Sequence, residues 1–204
     1  MAFRVNYLGN TQSGLWSRCF SMMLKSVFLS LSLGISWQSY AAVVAETSLP
    51  AVSVQDGGEL VLNADNIDYS PWKSQQLTGK VYVIQHIAGR SSAKALNAPL
   101  IDRIKAANLP KDRYQTVTIV NTDDAIWGTG GIVKGKLESS KEEFPWSMMV
   151  LDNEGVARSA WDLEEKSSAI IVVDTENRVR WVKDGALNDH EQQEVMTLIR
   201  RLLE

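Results

Sequence analysis

Gly79-Lys80-Val81-Tyr82-Val83-Ile84-Gln85-His86-Ile87-Ala88-Gly89-Arg90-Ser91-Ser92-Ala93-Lys94 is the stretch that decides how this chain folds. Its first half is a nearly unbroken apolar run rich in β-branched residues, the composition of a strand buried on both faces. Gly89 and two serines interrupt it, and Leu96, Leu100, Ile101 and Ile104 then follow helical spacing. A buried strand, a tight turn and a helix start make a βα unit. Such a turn presents free backbone N–H groups, which is where function often sits. The helix is expected from about Ser92, with Pro99 removing one hydrogen bond and kinking the axis, and it ends at Asn108-Leu109-Pro110.

Downstream, Tyr114 to Asn121 alternates and is β-branched, so a second strand is expected after a right-handed parallel crossover. Asn121 to Lys141 holds Asp123, Asp124 and glycines 128, 130, 131 and 135; it reads as a flexible loop with a short helix from Leu137 to Glu143. Ser147 to Leu151 is a third strand, and Ala160 to Glu165 a short turn or helix. Ala169–Val173 and Arg178–Val182 flank the polar turn Asp174-Thr175-Glu176-Asn177 as a hairpin. Asn188 to Glu191 is a capping box, and Val195, Leu198, Ile199 and Leu202 line one face of a closing helix. Upstream, Glu59–Leu62 and Ile67–Tyr69 read as short edge strands, Ser70-Pro71-Trp72 as a break, and Trp72 itself as a core or edge plug. The order predicts an α/β mixed sheet with helices on both faces.

Composition sets the limits. Hydrophobic residues make up 45% of the 204 and charged residues 22%, so an ordinary folded domain with a sizeable core is expected rather than disorder. Three of the 21 basic residues (Arg4, Arg18, Lys25) precede position 42, where there is no acidic residue. The remaining 18 face 24 acidic residues, a balance of −6. That argues against a nucleic-acid-binding protein.

Lys25 precedes the apolar stretch Ser26 to Ile35, and Ser39-Tyr40-Ala41 or Val43-Val44-Ala45 supplies a small-x-small cleavage site. This is the pattern of a secretory signal peptide over residues 1–41, with Met22 or Met23 as alternative starts. The apolar core is too short for the roughly 20 residues that span a bilayer, so export to the periplasm without permanent membrane insertion is expected. The one cysteine, Cys19, lies before the apolar stretch. Residues 42–204, the expected domain, therefore contain no thiol and no disulfide.

The order of elements resembles the thioredoxin fold. The opening stretch is similar to periplasmic thioredoxin-like oxidoreductases, which carry Gly-Lys, an apolar strand, and Cys-x-x-Cys at the helix start with a proline further along. On that resemblance the Cys-x-x-Cys window falls on Ser91-Ser92-Ala93-Lys94 and the helix proline on Pro99. The cis-proline position before the later strand falls on Ser168. At closer range Gln85 to Arg90, Ile119 to Ala125 and Lys183 to Leu187 resemble the YtfJ-like family of small exported bacterial proteins, over about residues 55–204. The resemblance implies a periplasmic thioredoxin-like domain without its thiol site; the family brings no activity with it.

Several residues carry candidate chemistry. Ser91 and Lys94 have the spacing of a serine nucleophile and a lysine base, provided the lysine is desolvated; serine at a helix start is also an ordinary cap. Arg90 with Ser91 and Ser92 forms a corner where a small anion would bind, and Trp146 and Ser168 are expected to border that cleft. His86, inside a buried strand, is either a neutral core histidine or a catalytic base. Gly130-x-x-x-x-Gly135-Lys136 departs from the phosphate loop at Leu137, where a hydroxyl would hold magnesium. Asp123 and Asp124 are a weak cation pair, and two distant histidines without cysteine make no zinc site. No cofactor or resident metal is expected, and the partner is a small anion or a periplasmic protein. Three functions remain open: a non-redox binding or interaction module, a hydrolase using Ser91 and Lys94, and a chaperone-like binder of extended peptides.

Overall fold

The computed structural model describes residues 42–64 and 66–204; the expected signal segment, 1–41, lies outside the described residues. Seven strands form one mixed sheet: β1 (Ser53–Asn63), β2 (Asn66–Lys73), β3 (Val81–Ala88), β4 (Tyr114–Asn121), β5 (Met148–Asp152), β6 (Ser168–Val173) and β7 (Val179–Asp184). Their order across the sheet is β2-β1-β5-β4-β3-β6-β7. The apolar run predicted as a doubly buried strand is β3, and all eight of its residues are buried. It pairs parallel with β4, Val81 opposite Tyr114, and antiparallel with β6, Ile87 opposite Ser168. β4 and β5 are also parallel. The C-terminal ends of β3, β4 and β5 therefore lie together at one end of the sheet, with the start of β6 beside them.

Alternation along the strands feeds two cores. On one face Ile84, Ile119, Ala169 and Ile171 pack with Ala157 and Trp161 of α4 (Val156–Trp161) and with Leu49, Val52 and Trp72. On the other, Val83, Ile170 and Val172 meet Leu100 and Ile104 of α2 (Ala98–Ala106) and Val195, Leu198 and Ile199 of α5 (Asp189–Leu202). Leu137 of α3 (Gly130–Glu143) covers Leu60, Val120 and Leu151. The expected helices on both faces are present. So are the hairpin β6–β7 and the α5 capping box, in which Asn188 and Glu191 bond each other's backbone.

The elements depart from expectation in four places. Glu59–Leu62 is not a short edge strand: it belongs to the eleven-residue β1, which lies between β2 and β5. The first helix is two: α1 (Ser91–Leu96) and α2, broken at Asn97, whose φ −116° and ψ 11° are not helical. Pro99 thus sits in the first turn of α2, where its missing N–H costs nothing, and no kinked helix is needed. The glycine stretch is not a loop: α3 starts at Gly130 and carries Gly131 and Gly135 within it. Ser70-Pro71-Trp72 is no break either. β2 continues through it to Lys73, and Pro71 is tolerated because β2 is an edge strand. Trp72 is fully buried, as the plug reading requires.

Candidate functional site

The corner begins where β3 ends. Gly89 lies so close to the next loop that a Cβ there would come within 3.0 Å of Ala125 Cβ and of the Asn121 carbonyl. Its N–H donates to that carbonyl at 2.7 Å, which clamps the β3–α1 turn onto the end of β4. Arg90 Nε donates to the Asp124 carbonyl at 2.6 Å, so the arginine braces the loop after β4. Ser91, Ser92 and Lys94 follow on α1 and are exposed. Lys94 is exposed, so the desolvation that would let it act as a base is missing.

On the other side of the corner, the N–H of Ala88 donates to Ser167 O at 3.0 Å. This places Ser91 and Ser168 at the same end of adjacent strands, as the resemblance implied. Ser168 itself is not an open wall of the cleft. It is fully buried, and Asn97 Nδ2 donates to its Oγ at 3.2 Å and to the Gly185 carbonyl at 3.0 Å. Asn97 Oδ1 in turn accepts the N–H of Leu187 at 3.1 Å. One buried amide thus ties the α1–α2 break to β6 and to the segment after β7. Asn97 was not singled out in the sequence, although an asparagine two residues before a proline is a helix-start signal. Its side chain caps nothing and is spent on tertiary contacts instead.

Trp146 does not border the corner. It precedes β5, and because β4 and β5 run parallel, the start of β5 lies at the opposite end of the sheet. There Lys111 Nζ stands 3.7 Å over its ring, Phe144 meets it edge-on at 5.8 Å, and its carbonyl accepts from Gln115.

Beneath the corner, on the α4 face, lies a polar cluster. His86 is 1% exposed and its Nε2 has no hydrogen-bond partner. Burial pushes its pKa down to about 4, with Asp124 opposing and Arg158 adding to the shift, so it is neutral at neutral pH. The buried Asp124 carboxylate accepts the Lys166 N–H at 3.1 Å and lies 3.8 Å from Arg158 Nε. Arg158 also neighbours Asp123 at 3.7 Å and Glu165 at 3.2 Å. Asp123 and Asp124 are therefore engaged by an arginine. Asp152, fully buried, accepts the N–H groups of Val156 and Ala157 at 3.1 and 2.9 Å and so anchors the start of α4. Its burial raises the carboxyl pKa, while those backbone donors hold it down. The phosphate-loop spacing falls on the first turns of α3, not on a strand-to-helix turn where a phosphate cradle would form.

Among the described residues, no helix is long and apolar enough to cross a membrane. The family profile described as "Bacterial protein of unknown function (YtfJ_HI0045)" matches residues 43–202. The chain is 56% identical over 155 residues to "Uncharacterized protein YtfJ" of Escherichia coli (strain K12), covering 76% of this chain and 84% of that protein. It is 42% identical over 182 residues to an "Uncharacterized protein" of Haemophilus influenzae, covering 88% of this chain and 99% of that one. Among solved structures it is similar to the thioredoxin domain of a thiol-disulfide oxidoreductase from Bacteroides vulgatus, with a TM-score of 0.54 at 14% identity over 78% of this chain and 99% of that one. It is also similar to a thiol-disulfide isomerase from Corynebacterium glutamicum, with a TM-score of 0.51 at 20% identity over 76% and 96%. The fold is thioredoxin-like, and the chain belongs to the YtfJ family of bacterial proteins of unknown function.

Proposed function

We propose that this is an exported, periplasmic thioredoxin-fold protein that performs no thiol–disulfide exchange and acts as a binding or interaction module. The observation that carries the reading is the corner itself. Where the resemblance puts Cys-x-x-Cys there is Ser91-Ser92-Ala93-Lys94, and residues 42–204 contain no cysteine. Across from it, the groups that a redox relative would leave open are spent internally. Ser168 Oγ and its carbonyl go to Asn97, Ser167 O goes to Ala88, and the Lys166 N–H goes to Asp124.

Those same bonds weigh against the chaperone-like reading, because an extended peptide needs free backbone donors and acceptors on such a segment. Solvated Lys94 weighs against the hydrolase. What remains accessible is Arg90, Ser91, Ser92 and Lys94, a small cationic rim suited to an anionic ligand or to an acidic patch on a protein partner.

The test is a disulfide-reduction assay on insulin with the protein purified as the cell accumulates it, and its N-terminus determined by mass spectrometry. Turnover no greater than a no-protein control, with an N-terminus at or after residue 42, supports the reading. Reduction at a rate comparable to a thioredoxin, or a retained N-terminus, overturns it. For the ligand, phosphate and sulfate should raise the melting temperature, and the rise should fall in Arg90→Gln.

A further inference from the structure

The loop between β4 and α3 ends in an apolar tip with no contact to justify it. Trp127 is 97% exposed, Ile126 57% and Ile132 61%. Thr129 folds the tip back: its N–H and Oγ1 both donate to Ile126 O, and Ile132 N–H donates to Thr129 O. The three side chains therefore stand on one short turn and the first turn of α3. Around them the backbone is clear of the body, since a Cβ on Gly128, Gly130, Gly131 or Gly135 would meet nothing within 4 Å. A large exposed apolar group of this kind marks a contact surface.

Its surroundings are cationic. Gly89–Ile101 and Ala125–Leu137 contain no acidic residue and carry Arg90, Lys94, Lys134 and Lys136, in a domain whose balance is −6. The two stretches meet where Gly89 approaches Ala125 and Arg90 bonds Asp124 O. Asp123 and Asp124, which precede the tip, face Arg158 at 3.7 and 3.8 Å. Lys134 is turned away to Tyr69 and Glu138: its Nζ lies 4.8 Å over the Tyr69 ring and 4.0 Å from Glu138, which accepts from the Tyr69 hydroxyl.

We infer that the Ile126-Trp127-Ile132 tip inserts into the interfacial layer of an anionic phospholipid bilayer, with Arg90, Lys94 and Lys136 toward the headgroups. A narrow convex tip fits a deformable interface better than a protein site, which needs roughly 800 Å² of complementary surface on each side. Tryptophan favours the membrane–water boundary. Basic side chains beside it are drawn to anionic headgroups, while the acidic remainder of the domain is repelled and the orientation is set. The attachment is peripheral and reversible. It goes beyond the ligand corner proposed above and does not require it.

Flotation with vesicles tests this, comparing phosphatidylcholine alone with phosphatidylcholine mixed with phosphatidylglycerol. The wild-type protein, purified as the cell accumulates it, should float with the anionic vesicles and be released by high salt. Trp127→Ala should weaken partitioning about tenfold or more, and Lys136→Glu should weaken it further on anionic vesicles only. These variants lie on the surface and should keep their melting temperature. Their response to phosphate should be unchanged, so failure here is separable from failure of the corner. Absence of flotation, or equal flotation of wild type and Trp127→Ala, overturns the inference. So does a photo-reactive residue at Ile126 that captures a single protein rather than lipid in cells.

Discussion

At the same end of the sheet, Asn97, His86, Asp124 and Asp152 lie inside the protein, while Ser91, Ser92 and Lys94 stand in solvent a few residues away. The inner set has the chemical endowment usually associated with catalysis: an imidazole, two carboxylates and, against Asp124, an arginine. It also has the environment that prevents it, since every group is bonded into the fold or sealed from solvent. The outer set stands at the turn after β3 where the sequence resemblance puts a reactive corner, but its lysine is exposed and its serines begin a helix. Reactivity needs address and environment in the same side chain. Here Arg90 joins the two sets through Asp124 O, so the corner is held rigidly by the interior without borrowing its chemistry.

The comparison implies that changes inside should move stability and changes outside should not. The largest effect is expected at Asn97. Asn97→Ala removes donors to Ser168 and Gly185 and the acceptor for Leu187 N–H, and leaves those groups buried without partners. A loss of about 3 kcal/mol is expected, read from urea unfolding. A loss under about 1 kcal/mol would mean that the α1–α2 break is held by Pro99 alone.

His86 sharpens the contrast through pH. Its folded-state value of about 4 lies below the ordinary 6.5, so the folded protein binds fewer protons than the unfolded chain between those values. The stability it contributes is complete above about pH 6.5 and is lost as pH falls toward 4, by at most about 3 kcal/mol. Asp152, with its carboxyl raised, contributes in the opposite sense, losing stability as pH rises. The wild type should be compared with His86→Leu for this reason: the difference between their unfolding curves at pH 7 and pH 4.5 isolates the imidazole. A slope unchanged by the substitution would show that water reaches His86.

Arg158→Met should cost about 2 kcal/mol, because it strips the cation from buried Asp124 while leaving the exposed Asp123 and Glu165 in water. Raising salt should reproduce little of that loss, since the Asp124 contact is shielded from solvent.

Much of this was legible in the chain. The unbroken β-branched run gave β3, alternation gave β4, and the Asn188-to-Glu191 box gave the start of α5, because each signal is local and strong. The glycine stretch misled because leucine, valine and lysine spacing around Gly131 and Gly135 is weakly amphipathic, and packing of Leu137 on the sheet overrides glycine's poor propensity. Trp146 was placed in the corner by analogy of position. Only strand direction, a tertiary fact, sends it to the far end. Ser168 occupied the expected position, but the partner that buries it, Asn97, lies 71 residues away and leaves no mark on the neighbouring sequence.

The smallest effect is the one that decides whether the corner is chemically inert. Ser91→Ala and Lys94→Ala each change an exposed side chain on a short helix, so stability should move by no more than about 0.5 kcal/mol. A fluorophosphonate probe should label wild type and Ser91→Ala equally weakly, at the level of denatured protein. The physical reason is that a serine hydroxyl becomes a nucleophile only when a neutral base lies within hydrogen-bond reach, and Lys94 stands in solvent with nothing burying it. Labelling of wild type at neutral pH, lost in Ser91→Ala, would erase the distinction and put the hydrolase reading first.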